Sequence, residues 1–403
     1  MALDLTQLST QVRRMSTNLV ASVSDTVERQ MLTLGRYLEE TGAEEDWARA
    51  VDLSRESSNW LLARPVEPFN FSRDLPQRPS DYALVATDGS QIDVDRHGML
   101  ACYLLNMGRV YLRYGRDPLA KLSSRPSLYY SEDDLYISDG GARRVAIEGS
   151  LLSARRDVEE GVALAALADE FIDGSVPAIA LQDGTLVRWS LANAEGFVQD
   201  YFLKPYLAYL DHMRERQIPV ASYISRPRSP EVAGIIRLMF CPDIQLDAGR
   251  GAKCSECSDV KAGRKPSCSH CQGLSDSDIL GNSLAEGQRG PIYLSMSKIN
   301  IEMYGPHRIH FFYMRVGREL ARVEIPQWVA ERPDWVDLIH TLLYDQCMKG
   351  QGYPVALSRA HEQAIVRSAD RRAFQSMVEA TLLRSELPAS SSRKQDSKQR
   401  QAL

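Results

Sequence analysis

Apolar residues over the first sixty positions recur every three or four residues, as in Val12, Met15, Leu19, Val23, Val27, Met31, Leu34 and Leu38. That is the helical period, and it predicts two helices between Leu3 and Leu62. Such helices can pack on a core, pair with a second copy or meet a partner. Four prolines between Arg64 and Pro79 predict a linker. Two apolar runs follow, Tyr82 to Thr87, stopped by Asp88-Gly89-Ser90, and Met99 to Tyr114, and they read as neighbouring strands. Leu151 to Phe171 is helical in period, and Val176 to Leu181 is a buried-type strand stopped by Asp183-Gly184-Thr185. A helix over Asn193–Arg216 and a strand over Pro219–Ile224 lead to an Arg-Pro-rich turn. Strand patterns return at Pro291–Ser295, His307–Val316 and Ala321–Ile325, and helices close the chain at Trp335–Lys349 and Ala356–Leu383. Strands alternating with helices imply an α/β fold built on a mixed sheet.

The stretch from Cys241 to about Gln288 breaks this rhythm with Gly, Ser, Asp and Cys and reads as an insertion. The expected organisation is therefore N-terminal helices over 1–63, a linker over 64–79 and a core in two parts, 80–240 and 289–385. The insertion over 241–288 separates those parts. A tail over 386–403 has hardly any apolar residues and is expected to be disordered.

Composition narrows the class. The chain has 403 residues, 44% hydrophobic and 25% charged, the balance of a globular protein with two or three domains. Its longest apolar runs fall well short of the roughly 20 residues of a membrane helix. The first residues do not follow the pattern of a secretory signal, so a cytoplasmic location is expected. A net charge of −5 argues against binding nucleic acid by global attraction, although basic residues gathered along one groove still serve.

The two Asp-Gly stops place Asp88 and Asp183 at strand ends, where they are either plain turns or paired hard-oxygen ligands for magnesium or manganese. Between them a helix carries Arg155, Arg156, Glu159 and Glu160. Adjacent helical residues point about 100° apart, so at most one of the two glutamates faces the aspartates. Otherwise that face is solvated and laced with ion pairs. Near the C-terminus Pro354 suits a helix start after Tyr353, and His361 then lies two turns in. A histidine there is a surface or packing residue, or it ligates a metal, moves a proton or steadies a phosphate. Arg226 and Arg228 follow another strand and read equally as a polar turn or as phosphate contacts.

Seven cysteines without a secretory signal do not suggest a disulfide framework. Cys254, Cys257, Cys268 and Cys271 form a C-x2-C-x10-C-x2-C array, the spacing of a closed structural zinc site. A redox pair, four idle thiols or an iron–sulfur cluster are the alternatives. Cys241 is a spare or alternative ligand, and Cys102 and Cys347 fall in apolar-periodic segments expected to be core. So small a loop would draw most of its folding free energy from metal. Lys253, Lys261, Arg264 and Lys265 around it suit either contact with a DNA backbone or solubility.

One ordered set stands out: an Asp-Gly-Ser stop, a helix glutamate, a second Asp-Gly stop, an Arg-Pro-rich turn, and Tyr353-Pro354 with His361 eight residues after the tyrosine. From about Asp81 to about Leu383, interrupted by the cysteine segment, the chain resembles the NurA nucleases. The resemblance implies an RNase H-like sheet that holds manganese or magnesium through acidic residues and cuts DNA. It also implies a homodimer docked on a HerA-type hexameric ATPase. Carried over by motif, Asp88 and Asp183 are metal-binding carboxylates, Glu159 is the helix carboxylate with Glu160 as its rival, and Tyr353 and His361 are active-site residues. In that chemistry two cations about 4 Å apart activate water and stabilise the leaving oxygen. A non-catalytic adaptor that bridges DNA and the ATPase is the rival reading, and a defence nuclease with the same chemistry is a third.

Overall fold

Strands buried on both faces read as unbroken apolar runs, and Tyr82 to Ala86 is one. A computed structural model describes residues 4–94 and 101–385, without the side chains of 17–24. In chain order, helices α1 (Leu5–Glu39) and α2 (Glu44–Ser54) precede strands β1 (Ala63–Pro65), β2 (Tyr82–Ile92), β3 (Tyr103–Tyr114) and β4 (Leu119–Tyr129). Short strands β5 (Tyr136–Ser138) and β6 (Arg144–Ala146) pair with each other ahead of helix α3 (Ser150–Phe171). Then come β7 (Ala178–Asp183), α4 (Gly196–Glu215), β8 (Val220–Ile224) and α5 (Glu231–Met239). Strands β9 (Tyr293–Ser295), β10 (Ile309–Val316) and β11 (Glu319–Pro326) lead to helices α6 (Pro333–Lys349), α7 (Val355–Ala364) and α8 (Ser368–Arg384).

The chain divides into two compact units: described residues within 1–74, 225–297 and 310–322, and within 75–224, 298–309 and 323–403. These are not the contiguous stretches read from the sequence, because residues 241–288 share a unit with the N-terminal helices.

The second unit carries the strand order β8-β7-β2-β3-β4. β8, β7 and β2 run parallel, while β2, β3 and β4 are antiparallel. This is the mixed sheet flanked by helices that the RNase H-like expectation called for. Successive strand residues point to opposite faces. Thr87 Oγ1 donates to the carbonyl of Glu160 on α3, whereas Asp88 bonds His361 on α7, so these helices cover opposite faces. Two expectations change here. β2 does not stop at Asp88 but pairs with β3 as far as Ile92. The expected single helix over 356–383 is two, α7 and α8, broken at Ile365, where ψ of 126° leaves the helical region. Strand side chains cap the break: Ser90 Oγ and Asn106 Nδ2, the latter at 2.8 Å, donate to the carbonyl of Ala364.

In the first unit, the expected linker is a strap rather than a free segment. Its start is β1, antiparallel to β9, and Arg73 and Arg289 exchange backbone hydrogen bonds at 2.9 and 3.1 Å. The prolines suit this extended path without ending the contacts. Helix α1 packs through Thr33 and Tyr37, whose hydroxyl donates to the carbonyl of Phe69, while Leu5, Val12, Met15 and Met31 stay exposed. Among the described residues no helix is long and apolar enough to cross a membrane. The expected tail over 386–403 lies outside the described residues.

Candidate active site

The parallel ladder between β2 and β7 ends at the pair Thr87–Gln182. Asp88 and Asp183 are the next residue on each strand. Alternation turns Thr87 and Gln182 toward α3 and α4, where Tyr209 of α4 donates to Gln182 at 3.0 Å, so both aspartates point to the α7 face. Side by side on one face, they repel when both are ionised. Burial, and then the charge of Asp88, raises the pKa of Asp183 against hydrogen bonds that favour its charged form.

Each carboxylate is oriented by two donors. Asp88 Oδ1 accepts from the amide of Gly89 at 2.8 Å, and its Oδ2 pairs with His361 Nδ1 at 2.7 Å across 273 positions of sequence. Asp183 Oδ1 accepts from the amide of Gly184 at 2.9 Å and from the Tyr353 hydroxyl at 2.7 Å. Its Oδ2 takes no hydrogen bond from the described residues. The Tyr353 ring stands edge-on to Tyr223 of β8, with ring centres 5.5 Å apart. Burial, with the Asp183 charge next, raises its pKa and keeps it a donor. His361 is 63% exposed while Asp88 is 13% exposed, so the imidazole is the solvent-facing end of this pair. A neutral imidazole that donates from Nδ1 to a carboxylate presents Nε2 as an acceptor.

The glycines of the two stops serve different ends. Gly184 adopts φ of 74°, a turn conformation that favours glycine. Gly89 lies inside β2, and a Cβ there would come within 2.7 Å of both Arg156 Cγ and Glu160 Oε1. Its missing side chain admits the α3 side chains to the strand. Opposite Asp88 in the ladder, Gly108 plays the same part for α7, because a Cβ on it would lie 2.0 Å from the carbonyl oxygen of Ala360.

Of the two helix glutamates, Glu160 is brought to the site. It is 4% exposed and pairs with Arg156 at 3.2 Å. Its pKa is raised well above the usual range by burial, then by the charges of Asp157 and Asp88, against Arg156 and Arg188. Glu159 is turned to Arg155, 2.9 Å away, and is not brought to Asp88. Sequence reading did not anticipate Asp157 and Arg188, where the buried Arg188 forms a 3.0 Å ion pair with the partly exposed Asp157. Arg188 sits in a loop without period. For Arg156 and Glu160 the (i, i+4) spacing was visible, but the neighbouring Arg155 and Glu159 show the same spacing. Arg226 and Arg228 belong to the other unit, where Arg226 pairs with Glu319 at 2.6 Å.

Two neighbouring carboxylates, one with an unused oxygen, suit a hard divalent cation by donor type. Among the described residues, no group of three or more His, Cys, Asp or Glu is placed to hold a metal ion. Magnesium-type sites often need only one or two carboxylates, with water and substrate phosphate completing the shell.

In the cysteine segment burial, and then the neighbouring Cys254 and Cys257, raises the pKa of Cys268, and burial, then Cys268, raises that of Cys271. Cys241 feels Cys257 and Cys268 as well. Burial pushes the Cys271 thiol up to about 11. Arg29 of α1 donates to the carbonyls of His270 and Gln272, and Thr33 Oγ1 is 4.0 Å from Cys271 Sγ. Cys102 and Cys347 are buried, as expected.

No curated protein matches the chain. The NurA domain matches residues 82–366, a span that begins at β2 and ends just after α7, and so takes in Asp88, Glu160, Asp183, Tyr353 and His361. The chain therefore belongs to the NurA domain family, a family of nucleases.

Proposed function

We propose that the protein is a divalent-metal-dependent DNA nuclease that processes DNA ends as an exonuclease, a single-strand endonuclease or both. The observation that carries this reading is the Asp88–Asp183 pair on one sheet face, with His361 fixed on one carboxylate and Tyr353 on the other. Asp88 and Asp183 would hold manganese or magnesium, and Glu160 stands beside Gly89 next to them. When bound, the cation supplies the charge that activates water and stabilises a leaving oxygen. His361 Nε2 takes or gives a proton at the solvent-facing side, and the Asp88 bond fixes its ring. Tyr353 holds Asp183 in one orientation. Zinc on Cys254, Cys257, Cys268 and Cys271 belongs to the same proposal as a structural ion on donor type and spacing, and binding it would draw together four thiols that are not gathered around one point in this structure. A homodimer, a HerA-type ATPase partner and a role in DNA repair belong to the proposal too.

The test is degradation of end-labelled single- and double-stranded DNA with manganese, magnesium or EDTA. Wild type should cut with metal, Asp88→Ala should lose cutting by about 100-fold or more, and folded Cys254→Ser should still cut. Purified, folded wild type that binds DNA and never cuts it, even with the ATPase present, would sink the enzyme and leave a DNA-binding adaptor.

A further inference from the structure

The strap-bearing unit contains a cavity of about 800 Å³ into which five arginines project: Arg226, Arg228, Arg237, Arg315 and Arg318. Two carboxylates share the lining, and both are engaged. Glu319 pairs with Arg226, and Asp278 accepts from the amide and hydroxyl of Ser275 in a helix cap. Arg228 and Arg318 are exposed and make no hydrogen bond or ion pair with any described residue. Like charges gathered in a concave wall focus a positive potential, which favours an anionic ligand.

The walls are built rather than incidental. Arg226 holds φ of 47°, a strained conformation for a residue with a side chain. Ser277 Oγ donates to the carbonyl of Pro227 at 3.0 Å, tying the segment after the cysteines to the Arg-Pro turn. Arg237 donates to the carbonyl of Cys271 at 3.2 Å, and Arg315 donates to the carbonyl of Gly281. Arg318 sits on the two-residue turn between β10 and β11, where Gly317 takes φ of 57°.

From this we infer that the cavity is a docking cleft for the phosphodiester backbone of the DNA strand, separate from the cutting residues and partly walled by the segment that follows the cysteine array. No aromatic residue lines it, so no base has a ring to stack on and recognition is of phosphate, independent of sequence. Guanidinium groups match phosphate oxygens in pairs, which a lysine patch would not. The inference rests on the nuclease reading for the identity of its polyanion.

Binding of a labelled single-stranded oligonucleotide, read by fluorescence anisotropy over a salt series, tests it. The reference is Asp88→Ala, which keeps the strand intact, and the variant adds Arg228→Ala and Arg318→Ala, two exposed changes. Loss of two phosphate contacts should weaken binding about tenfold and flatten the logarithmic salt slope by about 1.4. Hydrolysis of bis(p-nitrophenyl) phosphate with manganese should be unchanged when only the two arginines are replaced. Unaltered affinity and slope would overturn the cleft while leaving the nuclease reading in place. Displacement of the strand by a mononucleotide at matched phosphate concentration would also overturn it, in favour of a small phosphorylated ligand. Weakened binding by a protein that hydrolyses neither substrate would keep the cleft and remove the nuclease.

Discussion

Asp183 shows how a single carboxyl group couples stability to the proposed chemistry. Its pKa in the folded chain is raised, first by burial and then by Asp88. Between the ordinary aspartate value and this raised one, the folded state binds a proton that the unfolded state has released. Stability therefore falls as pH rises through that window, and the loss persists at neutral pH. Asp183→Asn keeps an oxygen to accept from Tyr353 and Gly184 while deleting the charge. We predict a higher melting temperature for this variant at pH 7 without added metal, together with a loss of DNA cutting of about 100-fold or more. Manganese should raise the melting temperature of wild type and leave that of the variant nearly unmoved. A variant less stable than wild type under these conditions would show that the Asp183 charge is already compensated by the protein.

At the scale of elements, the site depends on how closely two helices approach one pair of strands. Gly108 lets the backbone of α7 rest on β3, and a carbonyl oxygen cannot move aside as a side chain end can. Gly108→Ala should cost about 2–3 kcal/mol in urea unfolding and displace His361 from Asp88. Full activity at wild-type stability would exclude this seating. Much at this level was legible beforehand. Parallel strands β2, β7 and β8 are buried on both faces, so their apolar runs stood out, and both aspartates were found at the ends of such runs. Strand β4 was not legible, since it is exposed along its length, alternates weakly and contains Pro126, which an edge strand tolerates. The continuation of β2 through Gly89 was hidden because Asp-Gly is ordinarily a turn signal. Its actual cause, the approach of α3, is a tertiary contact. The choice between Glu159 and Glu160 likewise turned on about 100° of helix rotation, which adjacent and equally charged residues do not reveal.

Across the whole molecule, each half of the site comes from a different end of the family domain. Asp88 meets His361 over 273 positions, and Asp183 meets Tyr353 over 170. A chain ending after Gly352 keeps every strand aspartate and lacks both partners. Such a truncation should bind manganese weakly and cut DNA at least about 100-fold more slowly than the full chain, as measured by gel assay at equal concentration of folded protein. Contacts this distant also close late in folding. Synthesis runs from the N-terminus, so a ribosome making this chain adds 170 further positions after Asp183 before it reaches Tyr353. On the proposed chemistry, a cell that makes such a protein would be shielded from its unfinished copies, because full cutting capacity would arrive only with the last stretch of the domain.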